Sequence, residues 1–192
     1  MGNIDYITLL LVNSIVGLLA GAAFLWKGLD GPNHRPWAAV FAMSGLVLLV
    51  MGVHMAATAP MRDVHLGDKV INLHFANLAF GETSVLFGAL LLGVALCLAK
   101  GWDLLPMSIY AFFVGVTSIV LGAGIWNHWL TKVPPLAAVG FISAGAGAIL
   151  TPLALWRPKI KALRRAAAAL LALAALAWIA TAYPGYWAHL GG

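Results

Sequence analysis

One carboxylate lies inside a long apolar run of this chain. The stretch HFANLAFGETSVLFGALLLG, residues 74–93, carries Glu82, and no other run of this length contains an acidic residue. A charged carboxylate at membrane depth costs several kcal/mol unless it is paired, hydrated or protonated. No Lys or Arg lies at that depth. We therefore expect Glu82 to face the protein interior or a water-filled path, where it binds a solute or a proton, or to be protonated and hydrogen-bond a neighbouring helix.

Neutral polar side chains accompany this carboxylate. Steps of three and four residues along a helix place one set on a common face: His74, Asn77, Gly81, Ser84 and Gly88. Glu82 lies about 100° around the helix from Gly81, beside this face. Asn13 in the first apolar run is a further neutral partner. We predict Glu82, Asn77, Ser84 and Asn13 as candidates for contact with a solute.

Histidines gather at one side of the chain's predicted membrane path. Those that fall on the outer side are His54, His65, His74, His128 and His189, whereas His34 falls on the inner side. Histidine changes charge near neutral pH, so the first four are candidate sensors of external acid. The alternative is that they satisfy backbone groups and anchor helix ends.

A second chemistry is open to some of these histidines. Soft sulfur with imidazole suits copper. We predict that Met51, His54 and Met55 share one face of the second helix, and His65 follows in the sequence. Two outer histidines could likewise converge as axial haem ligands. Because Cys97 is the only cysteine, neither an intrachain disulfide nor a cysteine-based metal cluster is expected.

The composition indicates an all-α integral membrane protein. Hydrophobic residues make up 62% of the chain and charged residues 9%, against about 25% charged in soluble domains. The apolar runs predict six transmembrane helices, each long enough for a hydrocarbon core of ~30 Å, in a single domain over 1–192. The predicted spans are 5–27, 36–58, 72–99, 104–126, 134–156 and 165–184. The charges fall in the loops between them, so membrane lipid is the expected partner and nucleic acid is not. No phosphate loop, dinucleotide fingerprint or nucleophile elbow is found, so no enzyme is predicted.

The basic residues orient the chain. The loops on one side carry eight of them: Lys27, Arg35, Lys100, Arg157, Lys159, Lys161, Arg164 and Arg165. The other side carries Arg62, Lys69 and Lys132. The positive-inside rule puts the first side in the cytoplasm, so both termini should lie outside the cell membrane.

Small residues recur at helical spacing in the first five predicted helices, among them Gly17, Gly45, Gly88, Gly115 and Gly147. In lipid, such faces let helix backbones approach closely, so these positions predict packing seams in a compact bundle.

The stretch LFGALLLGVALCLAKGWDLLPMSIYAFFVGVTSI, from Leu86 to Ile119, resembles the family of acid-gated urea channels and putative amide transporters. The ending LAWIATAYPGYWAHL is similar to that family's last helix, with Trp178 and Pro184 in step. The chain resembles a sister group of uncharacterised prokaryotic six-helix proteins more closely still.

This resemblance implies a ring-shaped homo-oligomer, usually a hexamer, with a pore through each protomer that passes small uncharged solutes and opens in acid. Phe87 matches a pore-lining aromatic of that family, while Leu91 stands where the family has an aromatic. Helix 5 has only Phe141 in place of several tryptophans, and the family's pore carboxylate on helix 6 would fall near Ala172. Glu82 has no counterpart in the family.

Two functions follow as hypotheses. The first is an inner-membrane channel or facilitator for a small neutral or weakly acidic solute, such as an amide, urea, ammonia or a short carboxylic acid, with its pH dependence set by outer histidines. A proton-coupled transporter of the acetate type is a variant of it. The second is a metal- or haem-binding membrane subunit that uses the outer His and Met residues.

Overall fold

Six α-helices, a short 3₁₀ helix (Gly28–Asp30) and one hairpin make up the part of the fold that the structure describes. The computed structural model describes the backbone of residues 6–58, 63–66, 69–72, 74–131 and 133–190, and the side chains of 7–58, 77–131 and 133–187. The helices are α1 (Tyr6–Trp26), α2 (Trp37–Thr58), α3 (His74–Lys100), α4 (Leu105–His128), α5 (Pro134–Trp156) and α6 (Lys161–Leu190). Each contains a segment long and apolar enough to cross a membrane, as predicted, so this is a multi-pass membrane protein.

Two features differ from the sequence-based prediction. Residues between α2 and α3, expected to form a loop, include an antiparallel pair of strands, β1 (Asp63–Leu66) and β2 (Lys69–Asn72). Helix α6 begins four residues earlier and ends six residues later than predicted, and it continues through Pro184. A proline inside a membrane helix is tolerated because neighbouring helices and local adjustments satisfy the freed backbone groups.

Local sequence signals set several helix ends. Helix α3 ends at Lys100 and is followed by Gly101, whose φ of +70° is left-handed. The Trp102 amide donates to the Cys97 carbonyl at 2.8 Å. Helix α4 starts where Asp103 Oδ1 accepts the Leu105 amide at 2.9 Å. A proline stands in the first turn of α4 and of α5. Proline lacks an amide hydrogen, and this costs nothing in the first turn, where amides have no acceptor within the helix.

The six helices form a closed ring in chain order. The extensive helix contacts are those between successive helices, from α1–α2 to α5–α6, and the ring closes through α6 against α1. The end where α1 begins and α6 ends is called the termini end below. The opposite end, with α1 finishing and α6 starting, carries the eight basic residues named above and is called the basic end.

Glycine seams hold ring neighbours together, as the sequence predicts. A methyl group on Gly88 of α3 would lie 2.5 Å from the Leu49 nitrogen of α2. A methyl on Gly145 of α5 would lie 2.5 Å from the Gly115 carbonyl oxygen of α4. Backbones that approach this closely gain dispersion contacts, which in lipid replace the hydrophobic effect as the force between helices.

Candidate functional site

An aromatic layer crosses the interior of the helix ring toward the termini end. The rings of Phe80 on α3 and Phe141 on α5 stack with centroids 5.8 Å apart and planes 14° apart. The Trp178 ring on α6 meets Phe141 edge-on at 5.2 Å. Because α4 lies between α3 and α5 in the ring, the Phe80–Phe141 contact spans the interior rather than a seam between neighbours.

A second layer crosses the interior near the middle of the helices. A methyl group on Gly17 of α1 would lie 2.6 Å from Leu91 Cδ1 and 3.3 Å from Phe87 Cζ, both on α3. Helix α2 lies between α1 and α3, so this contact also spans the interior. Phe87 packs against three of the hydrophobic clusters and Leu91 is 4% exposed. The structure therefore brings two of the predicted pore residues to the centre of the ring.

The indole of Trp178 is the unusual polar group of this interior. Its Nε1 is buried and has no hydrogen-bond partner among the described residues. The absence of a side chain on Gly140 leaves room for it, because a methyl group there would collide with the indole nitrogen. A buried donor without a partner costs about 1–3 kcal/mol, so a native protein that keeps one calls for an explanation.

The described interior is polar in places and carries no charge at mid-membrane depth. Its buried polar side chains are Ser14, Ser44, Asn77, Thr83, Ser108, Ser118 and Ser143, and the one buried charge in this set is Arg164 at the basic end. Ser118 Oγ on α4 donates to the Phe141 carbonyl at 2.8 Å. This hydrogen bond holds the backbone of α5 to α4 at the aromatic layer, which is called the outer layer below. An interior without a mid-membrane charge favours neutral solutes over ions.

Glu82 does not face this interior. The expectation of an interior-facing carboxylate is wrong, because the side chain is exposed on the outer surface of the ring. The reason is helix geometry: Gly81 faces α2, and Leu91 lies about 180° around α3 from Glu82 at ~100° per residue. Glu82 makes no hydrogen bond or ion pair with any residue whose side chain the structure describes.

The other predicted polar contacts remain local. Asn13 Nδ2 donates to the Leu9 carbonyl at 2.9 Å, and Ser84 Oγ donates to the Phe80 carbonyl at 2.7 Å, each one turn back on its own helix. Asn77 is 3% exposed near the termini end of α3. None of these three is brought to Glu82, whose side chain points away from the ring.

The histidines lie on two sides of the protein. His54, near the end of α2, and His128, the last residue of α4, are exposed toward the termini end. His65 lies in β1 opposite Val70, and His74 begins α3, but the side chains of both lie outside the described residues. His34 lies at the basic end against Phe24, with ring centroids 5.5 Å apart.

The proposed copper group does not converge in the described part of the chain. Met55 is 1% exposed and belongs to the core between α1, α2 and α3, whereas His54 beside it is exposed. The two side chains thus lie on different faces of α2, contrary to the prediction of a shared face. His54 and His128 are both exposed, so they do not face each other across the interior as a haem pair would.

An ion pair closes the basic end between α1 and α6. Arg164 is 3% exposed and donates from Nη1 and Nη2 to the two carboxylate oxygens of Asp30, at 2.7 and 3.0 Å. Its Nε donates to the Leu25 carbonyl at 3.0 Å. These hydrogen bonds from Arg164 hold the pKa of Asp30 below its ordinary value of 3.8, helped by the charges of Arg164 and Lys161 and opposed by partial burial.

Sequence reasoning missed the aromatic partners of the interior. Phe80, Phe141 and Trp178 were not among the predicted pore residues. A signal was present for Trp178, because the other seven tryptophans lie near helix ends and Trp178 lies deep within α6. Tryptophan favours the membrane interface, so one in mid-span indicates a special environment.

Comparison with known proteins supports this architecture. The profile of a family described as "Protein of unknown function (DUF981)" matches residues 1–192. The fold is similar to the cryo-EM structure of the Helicobacter pylori urea channel in its closed state, with a TM-score of 0.69 and 20% sequence identity. The match covers 95% of this chain and 98% of that one. No curated protein matches this chain in sequence.

Proposed function

Since this chain belongs to the DUF981 family and has a urea-channel-like fold, we propose that it is a membrane channel for a small neutral solute. The observation that carries the proposal is the closed ring of six helices around an interior crossed by a few apolar side chains and free of mid-membrane charge in its described part. A solute without charge can pass such a path without the desolvation cost that an ion would meet. Urea, simple amides, ammonia and undissociated short carboxylic acids fit this description.

The solute path runs along the ring axis, through both interior layers. At the outer layer, the Trp178 N–H donates to an oxygen of the passing solute, and Gly140 leaves room for the indole against α5. At the middle layer, Phe87 and Leu91 form an apolar constriction opposite Gly17. A donor beside apolar rings favours a carbonyl-bearing solute over an ion of similar size.

The outer surface near Glu82 is the contact with a second copy of the chain. A carboxylate exposed to hydrocarbon is costly, and contact with another protomer removes that exposure. The assembly is therefore a homo-oligomer with the Glu82 face of α3 at its interface. The basic end faces the cytoplasm, and both termini face outward.

External acid modulates the flux through the exposed histidines at the termini end. His54 and His128 are open to solvent or headgroups there, and protonation adds positive charge around the entrance. A proton-coupled transporter would respond differently to an uncoupler. Dissipating the proton gradient would abolish accumulation by such a transporter, whereas it would leave the downhill flux through a passive channel intact.

Solute flux into proteoliposomes tests the proposal. The purified chain is reconstituted, and entry of urea, acetamide, ammonia and acetic acid is followed by stopped-flow light scattering at about pH 5 and about pH 7. We expect flux of at least one of these solutes above that of empty liposomes, and no flux of K⁺ or Cl⁻. Absence of flux for all four solutes at both pH values would refute the channel.

A further inference from the structure

A basic cleft lies at the basic end, between the last turn of α1 and the first turns of α6. It has a volume of about 200 Å³, and its lining is Trp26, Lys27, Asp30, Lys161, Arg164 and Arg165. It lies at the opposite end of the protein from the aromatic layer, and none of its lining residues belongs to either interior layer of the solute path.

The charges of this cleft are not balanced within the described part of the chain. Asp30 is matched by Arg164 through both carboxylate oxygens. Lys27, Lys161 and Arg165 are exposed and form no ion pair with a described residue. The cleft thus presents three uncompensated positive charges around a rigid, paired arginine.

The structure also holds part of this cleft in a fixed geometry. The guanidinium of Arg165 lies over the Trp26 ring at 5.4 Å, which limits the orientations of both side chains. Arg164 joins α6 to the last turn of α1 through the Leu25 carbonyl. Lys161 begins the 30-residue helix α6, whose dipole adds to the positive potential at this end.

The cleft lies at the depth of lipid headgroups. Trp26 ends the first membrane-spanning segment and Lys161 begins the last. Trp26 is 47% exposed and offers apolar surface beside the charges, as a lipid with a phosphate and acyl chains requires. Basic pockets between membrane helices on the cytoplasmic side are suited to anionic headgroups.

We propose that this cleft binds the phosphate headgroup of an anionic phospholipid. Lys161, Arg165 and Lys27 contact the phosphate, and Trp26 contacts the glycerol and upper acyl chain. The bound lipid bridges α1 and α6, the helix pair that closes the ring. The occupant is a lipid rather than free phosphate because the charges border exposed apolar side chains at the membrane surface.

Native mass spectrometry of the detergent-purified full chain tests this site. The protein is titrated with an equimolar mixture of phosphatidylglycerol and phosphatidylcholine, and we expect phosphatidylglycerol to bind preferentially. The double variant K161Q/R165Q should bind it about twenty-five-fold more weakly, at about fivefold per cation removed. Both side chains are exposed, so the variant should fold, which its thermal unfolding will show.

Lys159→Gln is the matched control, since Lys159 is exposed at the same end but does not line the cleft. Its affinity should equal that of the parent. Equal losses in the control and the double variant would show a diffuse charge effect and overturn the site. Displacement of phosphatidylglycerol by an equal concentration of inorganic phosphate would show a free-phosphate site and overturn the lipid assignment.

Discussion

Phe80 and Phe141 stack 5.8 Å apart across the interior of the helix ring, from two helices that are not ring neighbours. At this level the two side chains, and not the helix backbones, set the width of the interior. The interior can therefore widen without a shift of the backbone. Rotation of either ring away from the axis would widen the outer half of the path. The stack and the Trp178 indole beside it are therefore the features from which the transport predictions follow.

Trp178→Phe separates a transport role of the indole from a structural one. The N–H has no partner in the described structure, so its removal breaks no hydrogen bond, and only the smaller ring volume should lower thermal stability. Urea flux should fall about five- to tenfold, which corresponds to one hydrogen bond. Thiourea flux should fall less, because sulfur is a weak acceptor. Equal losses of both fluxes would mean that the indole N–H does not contact the solute.

Gly88→Ala tests the seam between α2 and α3. The added methyl group would lie 2.5 Å from the Leu49 nitrogen, so the helices must separate. We expect unfolding in detergent to be easier by about 1–3 kcal/mol. Gly124→Ala is the control, because a methyl group at that helix position meets nothing within 4 Å. It should be neutral or stabilising by about 0.5–1 kcal/mol. Equal effects of the two variants would refute a close-packed seam at Gly88.

Asp30→Asn tests the ion pair at the basic end. The pKa of Asp30 is lowered in the folded protein by its hydrogen bonds with Arg164, so the pair stabilises the fold above the ordinary pKa of 3.8. That contribution is lost as the pH falls through the lowered value. The variant should melt below the parent at neutral pH, and the difference should begin to shrink as the pH approaches 3.8 and be lost in stronger acid.

Asp103→Asn is the control for this experiment. It also removes a carboxylate at the basic end, but an asparagine retains an oxygen that accepts the Leu105 amide. Its melting temperature should be close to that of the parent. A loss as large as that of Asp30→Asn would point to net charge rather than to the Arg164 pair.

The sequence predicted the membrane helices well because long apolar runs determine where a chain crosses lipid. It predicted the direction of individual side chains poorly, and Glu82 is the clearest example. In a soluble helix the apolar stripe marks the buried face, but α3 is apolar on all sides, so no stripe distinguishes the interior from the lipid. The end of α6 was predicted at Pro184, but the helix continues to Leu190, because proline is a weaker stop signal in membrane helices.

The interior layers could be predicted only in part. The resemblance to urea channels identified Phe87 and Leu91, and both lie at the centre of the ring. Phe80, Phe141 and Trp178 come from three helices, and which of their many apolar residues meet depends on helix rotation in the closed ring. The small residues did predict the packing seams between neighbouring helices, because two backbones can approach closely only where the side chains between them are small.

Glu82→Leu tests the proposed contact between copies of the chain. The exposed carboxylate on α3 should lie at the interface, so its replacement should shift the oligomer toward smaller species at rising detergent concentration. Size-exclusion chromatography with light scattering measures this change. Leu176→Ala is the control, because Leu176 is 60% exposed but lies on α6, on the opposite side of the helix ring from α3. An unchanged oligomer in Glu82→Leu would place the carboxylate outside the interface.

Solute flux in a Phe80→Ala variant tests the interior path most directly. Removing this ring takes away one half of the stack that crosses the interior, whereas Phe113→Ala removes an exposed ring from the outer face of α4. Urea and acetamide entry into proteoliposomes is compared for the parent and both variants. The channel account predicts that Phe80→Ala raises flux several-fold and that Phe113→Ala leaves it unchanged. Equal flux in all three proteins, or none in any of them, would contradict it.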